Sequence, residues 1–283
     1  MKYCFLRFPG GKFKAVTLSY DDGTLEDMRL AETLNRYGLK CTFNLVGSRL
    51  EKGHGFSAQF VQEEILGKGH EVANHGYEHR AQGQIRTIEG VRDVLDSRLY
   101  LEKEFGMIIR GMAQADRTVN RFKTPDQFDT LQRILSELDI AYARAAGGDN
   151  DGFALPENWL HWMPTAHHGN PRLMEYIDKF LGLDADKLYI ANRDPKLFYL
   201  WGHAFEFERT HGWELLEQIC RKLSGHEDIW YATNMEIYEY VNAWKSIVYS
   251  ADGRMMYNPT LFELWFDVDG TLYHIHPGET LKI

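Results

Sequence analysis

The sequence predicts an α/β fold: a distorted barrel of parallel strands and helices, followed by a small antiparallel β appendage. Strand-like and helix-like segments alternate over most of the chain, which is typical of parallel strands joined by right-handed crossovers. The 283 residues suit one barrel-sized domain with a small addition. Polar, chemically active side chains follow several of the apolar runs, where barrel enzymes hold their active sites.

Apolar spacing and capping residues predict the individual elements. Gly38 is a plausible C-cap, and Thr124 with Pro125 marks a helix start. Helices are predicted at residues 26–37, 56–66, 88–104, 125–138, 171–181, 213–223 and 235–244. Strands are predicted at residues 13–18, 41–46, 70–74, 107–109, 140–144, 197–201 and 229–232.

The first of these strands ends in two adjacent carboxylates, Asp21 and Asp22, which are followed by Gly23. Adjacent like charges are costly to bury without a partner. A metal ion relieves that cost by taking one carboxylate as a ligand and leaving the other nearby as a base. The strand end therefore indicates a metal site, although Asp-Asp-Gly alone is also typical of a turn.

A second candidate for the same site follows the strand at residues 70–74. His75 and His79 are four positions apart, so on one helical turn both rings point the same way. The pair forms half of a metal site, which Asp22 would complete. Two imidazoles, one carboxylate and an open position favour zinc, and the set also suits Fe, Co, Mn or Ni.

Three motifs in this order resemble the polysaccharide deacetylase family, also called the NodB-homology domain or carbohydrate esterase family 4. They are Tyr-Asp-Asp-Gly at residues 20–23, His-x-x-x-His at residues 75–79, and a late apolar-x-His ending at His203. The resemblance extends from about Lys14 to about Ala243. It implies a distorted β/α barrel and metal-dependent removal of N- or O-acetyl groups from sugars. It also implies that Asp21 is the general base and that His203 protonates the leaving group.

The chain departs from the family pattern at four places. Tyr20 replaces the usual Phe, and Gly76 replaces a Ser or Thr whose hydroxyl holds the loop. The segment at residues 110–117 matches the third motif without its Pro and aromatic residue, which leaves the oxyanion donor unassigned. No Asp-x-x-Asp-Trp occurs, so the sequence does not identify the residue that orients His203.

Substrate contacts are expected from aromatic and polar residues near the strand ends. The segment at residues 159–168 has two tryptophans and three histidines, which suggests a platform for sugar stacking. A buried apolar strand with surface histidines is the alternative interpretation. The candidate substrate-binding residues are Tyr20, His54, Arg117, Trp162, His167, His168 and Trp201.

The C-terminal segment has a different pattern, with strand-like runs and an Asp-Gly turn at residues 269–270. We expect a small β-module at residues 245–283 packed on a barrel at residues 1–244. Capping the barrel is its expected role, and sugar binding is the alternative.

Composition and charge narrow the partners and the compartment. The net charge is −9, from 32 basic and 41 acidic residues, which argues against nucleic acid or an anionic membrane as a partner. No run reaches the roughly 18 apolar residues of a membrane-spanning helix. The widely spaced Cys4, Cys41 and Cys220 suit a reducing cytoplasm, and no signal peptide precedes the first strand. An export leader absent from this sequence would change the expected cytoplasmic location.

The expected function is metal-dependent hydrolysis of an acetyl group, with N-acetyl favoured over O-acetyl, on a soluble acetylated sugar or short oligosaccharide. One alternative is a carbohydrate-binding protein on a degenerate deacetylase fold, but binding alone does not require Asp21. Another is a non-haem Fe(II) oxygenase with the same ligand set. Such oxygenase sites usually occupy all-β scaffolds, whereas this chain alternates helix and strand.

Overall fold

The computed structural model describes residues 2–82, 84–115, 125–146 and 152–283, with only the backbone at residues 125–127. The strands of this part are β1 (Cys4–Arg7), β2 (Lys14–Asp22), β3 (Cys41–Leu45), β4 (Glu71–Asn74), β5 (Gly111–Ala113), β6 (Tyr142–Arg144), β7 (Ala166–His167), β8 (Lys196–Gly202), β9 (Ile229–Tyr231), β10 (Val248–Tyr249), β11 (Met255–Tyr257), β12 (Leu264–Val268), β13 (Thr271–Ile275) and β14 (Thr280–Lys282).

The α-helices lie between these strands. They are α1 (Glu26–Tyr37), α2 (Gly47–Glu51), α3 (Ala58–Phe60), α4 (Thr87–Phe105), α5 (Pro125–Glu137), α6 (Leu173–Leu181), α7 (Ala204–Arg209), α8 (Trp213–Leu223) and α9 (Asn234–Lys245).

The central sheet is parallel, with strand order β6-β5-β4-β3-β2-β8-β7, and β9 also pairs with β2. The segment at residues 162–167 connects the two ends of this order. Trp162 forms a parallel bridge with Arg144 at the end of β6, and Ala166 pairs with β8. The predicted (β/α) barrel of distorted form, with additional antiparallel strands near the C-terminus, is therefore confirmed.

The strand that carries the two aspartates lies in the middle of this sheet. Every residue of β2 is buried. Val16 and Leu18 share a hydrophobic cluster with Leu30 of α1 and Leu216 of α8. Parallel strands are usually buried on both faces because helices cover both. The position of the β2 carboxyl end is therefore determined by the core.

Two predicted elements differ from the structure. The strand expected at residues 107–109 begins instead at Gly111, because Met107 and Ile108 are 38% and 74% exposed and do not enter the core. The helix expected at residues 56–66 starts at Ala58, changes to a π-helix and ends as a 3-10 helix. A 3-10 turn is common at helix ends and a π-helix is rare, and apolar periodicity does not distinguish either from an α-helix.

The strand nearest the N-terminus belongs to the C-terminal sheet. β1 pairs antiparallel with β12, which forms a hairpin with β13 around the Asp269-Gly270 turn. Tyr240 of α9 accepts a hydrogen bond from Trp265 N and donates one to Arg7 O, at 2.9 and 3.0 Å. These contacts attach the antiparallel strands to the barrel. The division into residues 1–244 and 245–283 stays a prediction.

Among the described residues, every helix is too short or too polar to cross a membrane. Cys4, Cys41 and Cys220 are free thiols.

A buried carboxyl group lies at the opposite end of β4 from the histidine motif. Glu71 accepts hydrogen bonds from Tyr142 Oη, Thr42 Oγ1 and Met235 N at 2.6, 2.8 and 2.9 Å. Burial raises the pKa of Glu71 from 4.5 to about 7, because the loss of hydration outweighs these three donors. Glu71 thus makes the stability of the barrel dependent on pH.

We predict that wild-type stability falls relative to Glu71→Gln as the pH rises from about 4.5 through about 7. A carboxyl group whose pKa is raised by folding contributes stability below its unfolded pKa and loses that contribution as the pH passes its folded pKa. Urea unfolding of both proteins across this range measures the effect, with the exposed Glu239→Gln as the control. A constant difference between wild type and Glu71→Gln would contradict the prediction.

Candidate active site

Asp21 and Asp22 lie side by side at the carboxyl end of β2, and both are buried. Asp22 has a φ of 87°, a left-handed conformation that is rare outside glycine, and Gly23 follows at 68°. Such backbone strain persists where surrounding contacts hold it, and it is concentrated at functional sites. Arg49 of α2 provides one of these contacts by donating to Asp22 O at 3.0 Å.

His75 follows β4 and presents one bare nitrogen to the site. Its Nδ1 lies 2.9 Å from the carbonyl oxygen of Ala113, so Nδ1 carries the proton and donates it. Nε2 is then free to act as a ligand. Burial lowers the pKa of His75 to about 4, which keeps the ring in the neutral form that binds metals.

His79 reaches the same point from a loop. The predicted helical turn at residues 75–79 is wrong, because Gly76 and His79 have φ values of 80° and 55° and no helix forms there. The loop nevertheless brings His79 Nε2 to 3.2 Å from His75 Nε2 and 3.4 Å from Asp22 Oδ1. The rings of His75 and His79 thus meet as expected, but a loop with left-handed residues brings them together in place of a helix.

These three side chains fit a divalent cation. One ligand atom from each of Asp22, His75 and His79 lies within 4.8 Å of the others. Asp22 Oδ1 is buried and has no hydrogen-bond partner among the described residues. Arg49 Nη1 lies 3.8 Å from this oxygen, too far for a hydrogen bond. A buried carboxylate oxygen with no direct donor, beside two imidazole nitrogens, is costly without a closer cation. The oxygen and nitrogen donor set suits zinc and the other transition metals named above.

Asp93 of α4 holds the histidine loop. Its carboxylate accepts hydrogen bonds from Glu78 N and Gln82 Nε2 at 2.7 and 2.9 Å, and its carbonyl oxygen accepts one from Tyr77 N. A Cβ at Gly76 would lie 2.3 Å from Asp93 Oδ2. The hydroxyl side chain that Gly76 replaces is therefore excluded here, and Asp93 does the corresponding work of holding the loop.

Asp21 faces a different set of partners. Arg144 forms a buried ion pair with Asp21 Oδ2, and Asn44 Nδ2 donates to Oδ1 at 2.9 Å. His75 Nε2 and His203 Nε2 each lie 3.8 Å from Oδ2. Burial alone raises the pKa of Asp21, but Arg144 and the two histidines outweigh it and lower that pKa below its usual value. Asp21 is therefore a carboxylate, held ready to accept a proton.

Arg144 does not belong to any of the sequence motifs. The third motif placed its arginine within residues 110–117, but Arg110 pairs with Asp139 at the surface, and Arg117 lies outside the described residues. Arg144 enters from the end of β6 and lies over the Trp201 ring at 4.3 Å. An arginine that ends an apolar strand is a usable signal, because a buried guanidinium needs a carboxylate.

His203 has an orienting partner that the sequence motifs did not show. Glu206 of α7 places Oε1 3.3 Å from His203 Nδ1. Burial alone lowers the pKa of His203, but Glu206 and Asp21 outweigh it and raise that pKa above its usual value. The two carboxylates thus stabilise the protonated ring relative to an ordinary histidine, and Nε2 lies 3.8 Å from Asp21 Oδ2.

A second group of two histidines and a carboxylate, His167, His203 and Glu206, has the same composition as the first. Here Gly169 N donates to His167 Nδ1 at 3.1 Å, so the proton of the neutral ring is on Nε2. That Nε2 lies 3.0 Å from Glu206 Oε2 and offers a proton, not a lone pair. The hydrogen-bond partners therefore favour the Asp22 group as the metal site.

The remaining substrate-binding candidates occupy different environments. His167 and Trp201 are partly exposed beside His203, with 4.7 Å between their ring centroids. His54 is exposed on the loop that packs against Gly23. Tyr20 and Trp162 are each 1% exposed.

Burial excludes two of these candidates from substrate contact. Trp162 packs among Tyr142, Trp159 and Tyr199, and Tyr20 packs against Phe207. The structure therefore contradicts the prediction that these two rings contact the substrate, because neighbouring side chains cover both. His168 is also buried.

Comparison with known proteins shows a partial match in sequence and a wider match in fold. A family model described as polysaccharide deacetylase matches residues 9–120. No curated protein matches the chain.

Several solved structures share the fold. A probable polysaccharide deacetylase from Pseudomonas aeruginosa PAO1 has 13% identity and TM-score 0.56, covering 82% of this chain and 92% of that one. A putative polysaccharide deacetylase from Mycobacterium smegmatis has 16% identity and TM-score 0.52, covering 87% and 96%. Puue allantoinase has 14% identity and TM-score 0.56, covering 82% and 91%. At these identities the similarity shows the fold alone.

The match to the polysaccharide deacetylase model covers residues 9–120, less than half of the chain, and includes the aspartate pair and the two histidines of the first site. Over the rest of the chain the similarity to such deacetylases is one of fold.

We predict that Asp93→Asn weakens metal binding by about 10- to 100-fold, as is typical when groups supporting metal ligands are changed. The amide keeps one acceptor oxygen but replaces the other with an NH₂ donor, so one of the two side-chain hydrogen bonds is lost and the loop carrying His79 loosens. Titration of the metal-free protein with Zn²⁺ measures this loss. Asp96→Asn, on the same helix but paired with Arg92 at the surface, is the control. Equal affinity in the two variants would contradict the loop's dependence on Asp93.

Proposed function

We propose that this protein removes acetyl groups from carbohydrate substrates by metal-dependent hydrolysis, with N-acetyl groups favoured over O-acetyl groups. The observation that carries the proposal is the buried, ionised Asp21 placed between a metal-binding group and His203. His75 Nε2 and His203 Nε2 each lie 3.8 Å from the same Asp21 oxygen. A base, an acid and a cation site thus surround one small volume.

Asp22, His75 and His79 are the proposed metal ligands, and zinc is the favoured ion. A bound divalent ion supplies Lewis acidity, which polarises the acetyl carbonyl and lowers the pKa of coordinated water. Fe, Co, Mn and Ni suit the same donors.

Asp21 is the proposed general base. Its Oδ2 takes a proton from the attacking water, while Asn44 and Arg144 fix the orientation of the carboxylate. The low pKa that Arg144 maintains keeps Asp21 deprotonated and ready at neutral pH.

His203 is the proposed general acid, and its protonated ring donates from Nε2 to the leaving group. Its raised pKa supports the preference for N-acetyl groups. An amide nitrogen departs only after protonation, whereas an ester oxygen needs this assistance less. Glu206 holds the opposite ring nitrogen and keeps Nε2 directed at the reacting centre.

The proposed substrate is a soluble acetylated sugar or short oligosaccharide. The proposed contacts are His167 and Trp201, which are partly exposed beside His203, and His54 on a nearby exposed loop. The net charge of −9 argues against a polyanionic partner such as nucleic acid. A cytoplasmic location, based on cysteine usage, is part of the same proposal.

The two alternatives explain fewer features of the site. A protein that only binds carbohydrate has no need of the strained Asp22 backbone or of a buried base paired with Arg144. An Fe(II) oxygenase with the same ligands does not require an acid and a base on opposite sides of the reacting centre.

We predict that Asp21→Asn retains bound metal but loses about 10²- to 10⁴-fold in kcat, the range typical of general acid–base catalysis. His79→Ala, in contrast, should lose the metal because it removes a ligand. Elemental analysis and acetate-release assays on folded protein separate the two effects. Full turnover in Asp21→Asn would reject its role as base, and loss of metal there would make Asp21 a ligand.

We also predict acetate release from small N-acetylated sugars, because the proposed site recognises the acetyl group and its immediate surroundings. The assay compares N-acetylated mono- and disaccharides with chitin oligomers and acetylxylan, using protein loaded with Zn²⁺. Asp21→Asn under the same conditions is the blank. Release from the polymers alone would contradict the proposed substrate class.

A further inference from the structure

Glu206 needs support of its own if it is to orient His203. Its side chain has several rotatable bonds, is 31% exposed, and extends from the short helix α7. Two other imidazoles approach the carboxylate. His167 Nε2 and His168 Nε2 lie 3.0 and 2.9 Å from Oε2. One or both of them must therefore fix the carboxylate that faces His203.

His168 is the more rigid of the two. It is buried, whereas the side chain of His167 is 31% exposed. The His168 ring stacks on Phe207 at 4.1 Å and on Tyr20 at 5.7 Å between ring centroids. Its backbone N donates to Trp201 O at 2.9 Å, one strand away. The ring therefore has little freedom to move.

The absence of a side chain at residue 202 makes room for this ring. A Cβ built on Gly202 would lie 2.1 Å from His168 Nδ1 and 2.5 Å from its Cε1. Gly202 directly precedes His203, so the close approach of His168 occurs beside the proposed acid. Nδ1 of His168 has no hydrogen-bond partner among the described residues. Glu206 Oε2 also has no hydrogen bond of good geometry, so the 2.9 Å approach of His168 Nε2 to it is a close ion-pair contact, and it is the polar contact of this ring.

We propose that His168 is a positioning residue that holds Glu206, and through it His203, in the geometry for proton donation. This inference rests on the proposed function of His203 as the acid. It replaces the expectation that His168 binds substrate, since the buried ring offers no surface to a sugar. The chain of contacts runs from His168 Nε2 to Glu206 Oε2, and from Glu206 Oε1 to His203 Nδ1.

Two substitutions at residue 168 separate positioning from packing. His168→Phe keeps an aromatic ring on Phe207 and Tyr20 but removes the donor to Glu206. His168→Gln loses the ring but keeps an N–H group of similar reach. We expect kcat to fall about 10²-fold in His168→Phe, the cost typical of a misplaced catalytic group, and to remain near wild type in His168→Gln. KM and metal content should not change in either variant.

A second measurement does not depend on turnover. The pKa of His203, followed by NMR of the ring protons, should be lower in His168→Phe than in wild type, because Glu206 no longer faces His203 in one fixed arrangement. The control is His161→Phe, which makes the same change at a half-buried histidine of a short 3-10 helix, where the ring contacts Phe128. This variant should alter neither kcat nor the pKa of His203. Gly202→Ala provides a second way to displace His168 if His168→Phe does not fold.

The outcomes distinguish this inference from the proposed function. Wild-type kcat in His168→Phe, or a change in KM alone in both variants, overturns the positioning role and leaves the deacetylase proposal intact. Absence of acetate release from wild type, together with a lowered His203 pKa in His168→Phe, supports the positioning contact and rejects the proposed reaction. An unchanged His203 pKa in that variant overturns the positioning role in either case.

Discussion

The buried ion pair between Asp21 and Arg144 is the interaction on which the site depends. The two residues come from β2 and β6, which are separated by three strands in the sheet, so the pair crosses the barrel interior. Removing one partner of a buried pair typically costs about 3–5 kcal/mol, because the other charge is left without compensation. The same contact therefore holds the barrel together and sets the ionisation of the proposed base. Trp201, under the Arg144 guanidinium, connects β8 to this arrangement.

Two groups of side chains in the site have the same composition but opposite chemical character. The difference comes from the hydrogen-bond partners of their histidine rings. A carbonyl oxygen beside His75 Nδ1 leaves Nε2 bare, whereas a backbone N–H beside His167 Nδ1 leaves Nε2 protonated. Residue composition is the same in both groups, two histidines and one carboxylate. The backbone around each ring thus distinguishes the proposed metal-binding group from the group proposed to donate a proton.

The sequence was sufficient for the half of the site that depends on local pattern. Asp22, His75 and His79 follow apolar strands, and the carboxyl ends of parallel strands meet at one edge. Arg144 and Glu206 could not be found this way, since their roles depend on which elements face each other across the barrel. The helix expected at residues 75–79 was wrong because Gly76 takes a left-handed conformation that spacing does not reveal.

The pairing of β1 with β12 has a consequence for synthesis on the ribosome. Residues 4–7 cannot find their partners until residues 264–268 have left the exit tunnel. At about 5–20 residues per second, this strand waits roughly 13–50 s with its backbone edge unpaired. Its apolar side chains, such as Phe5 and Leu6, stay without their native neighbours for the same time. The beginning of the chain is therefore among the last parts of the molecule to fold, and it is exposed to chaperones and proteases throughout translation.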